Sequence, residues 1–379
     1  MKFPTFAIIF ILLLSSLIYA SGSPSGDDSQ PPPASGGGGG GGGSPLFYDY
    51  YIPLVFDETH RMGASEVSIW IIQQAVIITD FSLSEAGNNV LQVNKPTKLT
   101  FNPTDNPGLK NGSLIRSTAP LLVVGLRSTE DIFSDNSFGY SVLIDRMMGF
   151  QFVSPVDGWF NPITLSQNTQ ITYTNENNDP IVRSIPAGGT NEAIPVKLGD
   201  LINSSAPING AFISYVNGTY ASMAVPKYLQ GSDYIFDTDI IAPRPDEISL
   251  SYISIIPDEP TQIQILYENE GIESIEIFGP TNLAISKSMR AIHSTRGEIS
   301  VSIQQKIAYG GQIRQSLVQL ISSTEMRAGE LFVTPKGYST HLSALKENTT
   351  YITGIYDEEL ATYIPSSKSN ITRELYEVV

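Results

Sequence analysis

Apolar and polar residues alternate along the chain from Pro45 onward, and this period of two limits most of the chain to β-strands. Clear examples are Val76–Leu83, Ile171–Thr174 and Ile263–Tyr267, which are rich in β-branched and aromatic residues. Turn-forming residues separate such segments, and few windows show helical spacing. Many short strands with frequent turns predict an all-β protein.

Three sequence elements recur along this β-rich part of the chain. The first is a hairpin, in which two strands flank a turn rich in Asn, Glu and Gly. The first strands of the four hairpins contain Val76, Ile171, Ile263 and Ile352. The second element is a strand that follows a glycine, at Gly112, Gly210 and Gly297. The third is an exit segment in which a glycine leads into a strand, at Gly63, Gly149, Gly231 and Gly329.

The hairpins are about 90 residues apart, and a fixed spacing of this kind is typical of a repeat protein. A unit of that length suits about seven strands, whereas a propeller blade has about 40–50 residues. We therefore predict tandem β-sandwich-like repeats of about 90 residues. A closed propeller-like ring is the alternative, because the first and last half-units could pair and remove their exposed edges.

The pattern and the composition divide the chain into six segments. They are a signal peptide (1–20), a disordered Pro/Ser/Gly-rich linker (21–45), a first β unit with an N-terminal half-unit (46–160), a second β unit (161–248), a third β unit (249–343) and a C-terminal half-unit with a tail (344–379).

The N-terminus has the organisation of a secretory signal peptide. Lys2 precedes an apolar run, Phe6–Tyr19, and cleavage is expected near Ala20. The run is shorter than the roughly 20 apolar residues of a transmembrane helix, although an uncleaved anchor is the alternative. The linker that follows contains the glycine run Gly36–Gly43 and cannot bury apolar surface. We predict a secreted or cell-surface protein that does not span the membrane after cleavage.

Composition excludes several classes of function. The chain has no cysteine, which removes disulfides, thiolate metal sites and cysteine nucleophiles. Its formal net charge of -16 argues against a nucleic-acid partner, because phosphate binding requires Lys and Arg. The expected partner is an extracellular protein or a glycan.

Five N-x-[ST] triplets are candidate N-glycosylation sites in an exported chain. The asparagines of these triplets are Asn111, Asn203, Asn217, Asn348 and Asn370.

No arrangement of residues predicts catalysis. The three histidines, His60, His293 and His341, are far apart and outside any metal-binding motif. Ser339 lies close to His341, but the surrounding sequence is not a nucleophile elbow. Carboxylates two residues apart in a strand lie on the same face, where they could act as a pair or simply be exposed to solvent. Such pairs are Asp237 with Asp239 and Glu268 with Glu270. We predict that the chain is not an enzyme and requires no cofactor.

Oxygen-rich turns and exposed aromatic residues are the remaining candidate binding features. Calcium accepts six to eight oxygen ligands, and such turns occur at 134–136, 175–179 and 357–359. The same residues are ordinary turn formers, and no EF-hand loop is present. Two aromatic groups could bind a sugar or a partner, or could equally be buried in strands. They are Phe47, Tyr48, Tyr50 and Tyr51, and the pair Trp159 and Phe160.

The repeated pattern resembles the IgGFc-binding N-terminal domain family, over about 47–365. One unit matches at Gly112, Ile115, Ser117, Pro120 and Val123, and the next at Val225, Pro226, Gly231 and Tyr234. The exit segments match at Gly149, Phe152, Val153 and Pro155 and again at Gly329, Phe332, Val333 and Pro335. The cysteine-rich von Willebrand type D domains of animal members are absent, and the third unit lacks Ser-x-x-Pro after Gly297. No residue maps to Fc binding.

The resemblance implies an extracellular, mucus- or surface-associated β protein without catalytic activity. We therefore expect binding, adhesion or a structural role outside the cell. One alternative is a carbohydrate-binding or carbohydrate-active protein on a propeller-like fold. Another is a surface-filament subunit that assembles by strand exchange through the half-units at Tyr51 and Thr349.

Overall fold

The computed structural model describes most of the chain after the linker. The described residues are 47–53, 66–71, 74–80, 89–94, 97–127, 138–142, 144–166, 168–174, 179–188, 193–214, 220–236, 248–267, 270–287, 289–309, 312–325, 349–357 and 362–371. Nearly all of these residues belong to antiparallel sheets. Their helical content is two single turns of 3-10 helix, Asp145–Met147 and Lys227–Leu229. The prediction of an all-β protein is confirmed.

The first eight strands form block 1. They are β1 (Tyr48–Tyr51), β2 (Glu66–Ile71), β3 (Ala75–Thr79), β4 (Asn89–Val93), β5 (Thr97–Phe101), β6 (Leu114–Ser117), β7 (Leu122–Arg127) and β8 (Phe138–Ser141). One sheet, here called the hairpin sheet, has the order β1-β6-β3-β4. The other, the partner sheet, has the order β5-β2-β7-β8. Tyr50 and Ile77 of the first and Ile69 and Val123 of the second belong to one buried cluster, so the sheets enclose a common core.

The next seven strands form block 2. They are β9 (Gly149–Val153), β10 (Gly158–Thr164), β11 (Thr169–Thr174), β12 (Pro180–Ile185), β13 (Ile194–Val196), β14 (Leu201–Ser214) and β15 (Tyr220–Met223). The first half of β14 pairs with β9 and β11, and its second half pairs with β10 and β15. One long strand therefore serves both a hairpin sheet, β9-β14-β11-β12, and a partner sheet, β13-β10-β14-β15.

Block 3 again has eight strands. They are β16 (Asp233–Ile235), β17 (Ile248–Pro257), β18 (Thr261–Tyr267), β19 (Gly271–Ile277), β20 (Thr281–Ala284), β21 (Met289–Ser294), β22 (Ile299–Tyr309) and β23 (Gln312–Gln319). Its hairpin sheet is β16-β21-β18-β19 and its partner sheet is β20-β17-β22-β23. A final hairpin consists of β24 (Thr349–Asp357) and β25 (Thr362–Ile371). Among the described residues these two strands pair only with each other, so that part of the chain shows no ring-closing strand pair.

The same order of strand pairing occurs in all three blocks, and the register agrees with it. In each hairpin sheet a serine lies opposite the buried isoleucine of the first hairpin strand. The pairs are Ser117 with Ile77, Ser204 with Ile171 and Ser294 with Ile263. The structure forms an antiparallel hairpin at each of the four sequence positions identified above.

Two details of the sequence interpretation differ from the structure. The strands grouped by their leading glycines are not equivalent, because Gly112 precedes β6 of a hairpin sheet and Gly297 precedes β22 of a partner sheet. The proposed unit boundaries at 160/161 and 248/249 fall inside β10 and β17. Strand β1 pairs with β6 and so completes the hairpin sheet of block 1.

The last strands of the three blocks, β8, β15 and β23, pack against one another. This contact zone, here called the hub, is apolar. One buried cluster contains Tyr140 and Val142 of block 1, Met223 of block 2, Leu317 of block 3 and Ile321, which follows block 3. The hub therefore joins the three blocks through a shared core as well as through the chain.

A carbonyl that follows the first strand accepts an amide from the next block at both joints. Asn161 Nδ2 of block 2 donates to the Pro53 carbonyl oxygen, and Gln304 Nε2 of block 3 donates to that of Pro155 at 3.3 Å. Pro53 and Pro155 occupy equivalent positions, three residues after Tyr50 and Phe152. The two joints thus share equivalent acceptors, whereas the donors lie on different strands of the partner sheet, β10 and β22.

Glycine turns reinforce this equivalence. Gly112 and Gly199 have φ of 82° and 89°, which favours glycine, and each precedes the strand that comes last in the chain within its hairpin sheet. A Cβ atom on Gly112 would lie 2.0 Å from the Gly188 carbonyl oxygen of the next block. On Gly199 it would lie 2.6 Å from Cγ of Pro280, the equivalent position one block later. Both turns therefore touch the following block too closely for any other residue.

Gln319 is fully buried where blocks 2 and 3 meet. Its Oε1 accepts the Val225 backbone N–H at 2.9 Å. Its Nε2 donates to the Val153 carbonyl oxygen at 3.2 Å and to Ser300 Oγ at 3.1 Å. Because buried amides are costly without partners, this side chain fixes one relative placement of the two blocks.

Candidate binding surface

The outer face of each hairpin sheet carries a polar pair between its first two neighbouring strands. The three pairs occupy the same register position and are Asp49 with Arg116, Gln151 with Asn203 and Asp233 with His293. Gln151 Nε2 donates to Asn203 Oδ1 at 2.9 Å, and His293 Nδ1 lies 2.7 Å from Asp233 Oδ1. The position is therefore polar in all three blocks, although the chemistry of the pair differs.

The pair in block 1 is an ion pair with two hydrogen bonds. Arg116 donates from Nε to Asp49 Oδ1 at 2.7 Å and from Nη2 to Oδ2 at 2.5 Å. The Asp49 side chain is 10% exposed and that of Arg116 is 40% exposed. The hydrogen bond to Asp49 raises the pKa of Arg116, so the guanidinium stays charged. The ring of Phe47 lies 5.4 Å from the guanidinium carbon and covers one side of it.

Tyr51 lies on the same face, two residues from Asp49. Burial raises the pKa of its phenol to about 12, and the negative charges of Asp49 and Asp145 add to the effect. The hydroxyl is therefore neutral at physiological pH and can both donate and accept a hydrogen bond.

Apolar side chains surround the ion pair of block 1. Register and alternation place six of them on the outer face of the hairpin sheet. This block 1 patch consists of Phe47, Tyr51, Val76, Ile78, Val90 and Leu114, all partly exposed. Val90 is the most open of them, at 63% exposure.

The equivalent faces of blocks 2 and 3 are more polar, although Val182, Leu201 and Ile272 are exposed apolar residues on them. The outer positions of β11 include Gln170 and Thr172, and those of β18 include Gln262 and Gln264. The first hairpin strand of block 1 is therefore apolar on its outer side, through Val76 and Ile78, where those of blocks 2 and 3 have Gln or Thr. An exposed apolar patch with a charged centre is typical of a protein interaction site.

The aromatic residues identified from the sequence divide between core and surface. Tyr48 and Tyr50 are buried inside block 1, whereas Phe47 and Tyr51 belong to the block 1 patch. Phe160 is fully buried and its ring lies 4.9 Å from that of Phe212, so it is a core residue of block 2. Trp159, its neighbour in β10, is partly buried.

Most of the candidate catalytic residues lie outside the described residues. These are His60, His341, Ser339, Asp237, Asp239 and Glu268. His293 is paired with Asp233, and Glu270 accepts a hydrogen bond from Lys287 Nζ.

The candidate calcium turns at 134–136, 175–178 and 358–359 also lie outside the described residues, whereas Asp179 and Asp357 lie within them. Within the described part of the chain, no three His, Asp or Glu side chains are grouped so that they could hold a metal ion. A search of those same residues finds no helix of sufficient length and apolarity for a membrane span.

Three of the five candidate glycosylation asparagines fall on described residues. Asn111 lies in the turn beside Gly112, Asn203 lies in β14 and Asn370 lies in β25. Asn217 and Asn348 are outside the described residues. The Oδ1 atom of Asn203 accepts a hydrogen bond from Gln151 on the outer face of its sheet.

Sequence reasoning found the strand at the centre of the outer face in block 1, after Gly112, but missed its equivalents in blocks 2 and 3. Its residues read Leu-Ile-Arg-Ser at 114–117, Leu-Ile-Asn-Ser at 201–204 and Ala-Ile-His-Ser at 291–294. The common signal is isoleucine, a polar residue and serine, in that order. It would have aligned the three blocks better than the leading glycines did.

In comparisons with known proteins, the chain matches no protein-family model, no curated protein and no solved structure. The resemblance to the IgGFc-binding N-terminal domain family therefore stays a prediction.

Proposed function

We propose that this chain is a secreted or cell-surface protein without catalytic activity that acts in binding, adhesion or extracellular structure. In this proposal the three blocks are tandem copies of one β-sandwich unit of about 90 residues. The N-terminal segment directs export, the five asparagines are glycan acceptors and the partner is an extracellular protein or glycan. The block 1 patch is the surface that binds this partner.

The observation that carries the proposal is the repeated construction of the joints. Pro53 and Pro155 accept amides from the following block, and Gly112 and Gly199 touch it at equivalent positions. Joints of this kind favour one rigid arrangement over independently moving domains. A rigid body presents its outer faces at fixed distances, which suits binding or a structural role.

The block 1 patch supports a binding role because its centre is preorganised. Asp49 and Phe47 hold the Arg116 guanidinium in one orientation before any partner arrives. Arginine and aromatic residues held in this way make large contributions to binding at low entropic cost.

Export is tested by expressing the full chain in a eukaryotic secretory system. We expect the protein in the medium, an N-terminus after Ala20 and a lower apparent mass after enzymatic removal of N-glycans. Retention of the intact chain in the cytosol, or secretion without any glycan, would contradict these parts of the proposal.

Binding is tested by screening the secreted protein on arrays of extracellular proteins and glycans. The variant Ile78→Thr copies the residue at the equivalent position of block 2, Thr172, and should weaken any specific signal. The matched control Thr172→Ser alters the corresponding face of block 2 and should leave the signal unchanged. A signal that responds to Thr172→Ser and not to Ile78→Thr would place the binding surface elsewhere.

A further inference from the structure

Three equivalent strands, β4, β12 and β19, lie at the edges of the three hairpin sheets. Each is the second strand of its hairpin and, within the described residues, pairs only with the first. An edge of this kind offers a row of backbone N–H and C=O groups to another strand. Natural proteins usually protect such edges with proline or charged side chains.

Two of the three edges carry this protection. Strand β12 begins at Pro180, which cannot donate a ladder hydrogen bond, and it contains Arg183. Strand β19 contains Glu273 and Glu276, and Glu270 precedes it. A second copy of β19 would bring these carboxylates close to one another.

Within Asn89–Val93, strand β4 carries neither form of protection, and Lys95 and Pro96 come only after its end. It reads Asn-Val-Leu-Gln-Val over Asn89–Val93, without proline or charge. Val90 of this strand is 63% exposed, as a residue at the edge of the described sheet can be. The side chains of Gln74 and Asn94, hydrogen-bonded at 3.5 Å beside one end of β4, are neutral as well.

We propose that the edge of β4 pairs antiparallel with β4 of a second copy of the chain. The two hairpin sheets of block 1 would then form one continuous eight-stranded sheet across a twofold axis. With the axis at Leu91, Val90 of one copy lies opposite Gln92 of the other.

The missing edge protection identifies a second copy as the occupant, because proline and charge on an edge strand act against pairing between chains. The chain has a formal net charge of -16, so two copies repel each other at most surfaces. Within Asn89–Val93, the edge of β4 brings no carboxylate against its own copy. In this register the row of Ile78 and Val90 in one copy continues into Gln92 and Val76 of the other.

Analytical ultracentrifugation of the purified full chain across the micromolar range tests the proposal. We expect a concentration-dependent dimer for the native sequence. Val90→Lys places a charge beside the edge and should leave a monomer at the same concentrations. Val182→Lys is the matched control, because Val182 is 60% exposed in the equivalent strand β12 and should leave the dimer intact.

A second variant tests the register. In Val90→Lys combined with Gln92→Glu, each lysine lies opposite a glutamate of the other copy, so the dimer should return. Circular dichroism confirms that each variant is folded, and Gln92→Lys replaces Val90→Lys if the latter is not. A native chain that is monomeric throughout, a dimer that survives Val90→Lys, or equal loss in Val182→Lys would overturn the proposal. The proposal is independent of secretion and of the array signal.

Discussion

Blocks 1 and 3 differ from block 2 at the passage from the hairpin sheet to the partner sheet. In blocks 1 and 3 a short loop separates β6 from β7 and β21 from β22, whereas in block 2 the single strand β14 runs through. The core residue beside this passage is Tyr50 in block 1, Tyr234 in block 3 and Phe152 in block 2, and all three are buried.

The tyrosine hydroxyl is present in blocks 1 and 3, the two blocks in which a loop interrupts the passage between the sheets. Tyr50 Oη donates to the Leu121 carbonyl oxygen at 3.0 Å and accepts the Leu121 backbone N–H at 2.9 Å. Tyr234 Oη donates to the Ile299 carbonyl oxygen at 2.5 Å and accepts the Gly231 N–H at 3.2 Å. Phe152 packs against Phe160 with the ring centroids 5.7 Å apart, beside a strand whose ladder continues. The comparison teaches that one hydroxyl compensates for an interrupted ladder.

The largest effect is expected from adding a hydroxyl to block 2. Phe152→Tyr places a polar atom in a fully buried site beside a strand that is already paired. Burial without a partner and the added volume together should lower the free energy of unfolding by about 2–4 kcal/mol. Urea denaturation measures this change. No loss of stability would mean that the site has a partner or space for the hydroxyl.

Removing a hydroxyl from block 1 should have the next largest effect. Tyr50→Phe leaves the N–H and C=O of Leu121 without their partner and should cost about 1–3 kcal/mol. Tyr234→Phe is the matched change in block 3 and should cost a similar amount. Urea denaturation of both variants measures these costs. Phe152→Leu, which removes volume but no polar atom, is measured beside them, so that the cost of a lost hydroxyl can be separated from the cost of lost packing.

Alkaline pH should lower the stability of blocks 1 and 3, which contain the buried Tyr50 and Tyr234, and not through the equivalent Phe152 of block 2. Burial is the main cause of the raised pKa of Tyr50 and Tyr234, and it raises that of Tyr51 to about 12. A phenol whose pKa is higher in the folded state contributes stability that is complete below its unfolded pKa of about 10. That contribution is lost as the pH rises from about 10 through the folded value.

Tyrosinate absorbance during an alkaline titration measures this effect. We expect the ionisation of Tyr50 and Tyr234 to coincide with unfolding, and Tyr50→Phe to remove part of the pH dependence. Ionisation of all tyrosines near pH 10 without unfolding would contradict the burial of these phenols.

The smallest effect is expected on the outer faces. Arg116→Gln breaks the ion pair with Asp49 and should cost about 1 kcal/mol, less at high salt because the pair is partly exposed. Gln151→Ala removes the neutral pair of block 2 and should show no salt dependence. Denaturation at low and high sodium chloride checks both, and equal salt dependence in the two variants would contradict the assignment.

Local sequence patterns predicted the strands well, because alternation and turn residues act between neighbours in the chain. The four hairpins are of this kind, and each lies where its sequence pattern places it. The glycine-based alignment was wrong because Gly112 and Gly297 precede strands of different sheets. A turn glycine reports the local φ angle and not the sheet in which the next strand lies.

The contacts between blocks and the polar pairs on their outer faces could not be predicted in this way. Asn161 and Pro53 are 108 residues apart, and Gln319 and Val153 are 166 residues apart. Arg116 and Asp49 are 67 residues apart and meet only because β1 pairs with β6. A single sequence contains no local signal for such pairs. Their polar residue types become informative only when the sheet order is known.

The hub has a consequence for the order in which the chain can fold. A ribosome completes β8 of block 1 long before it completes β23, yet the two strands pack against each other in the finished protein. Tyr140 and Val142 therefore stay uncovered while the rest of the chain is being synthesised. We expect chains truncated after block 1 or block 2 to aggregate or to be retained by chaperones. Release of the protein should thus depend on completion of the third block.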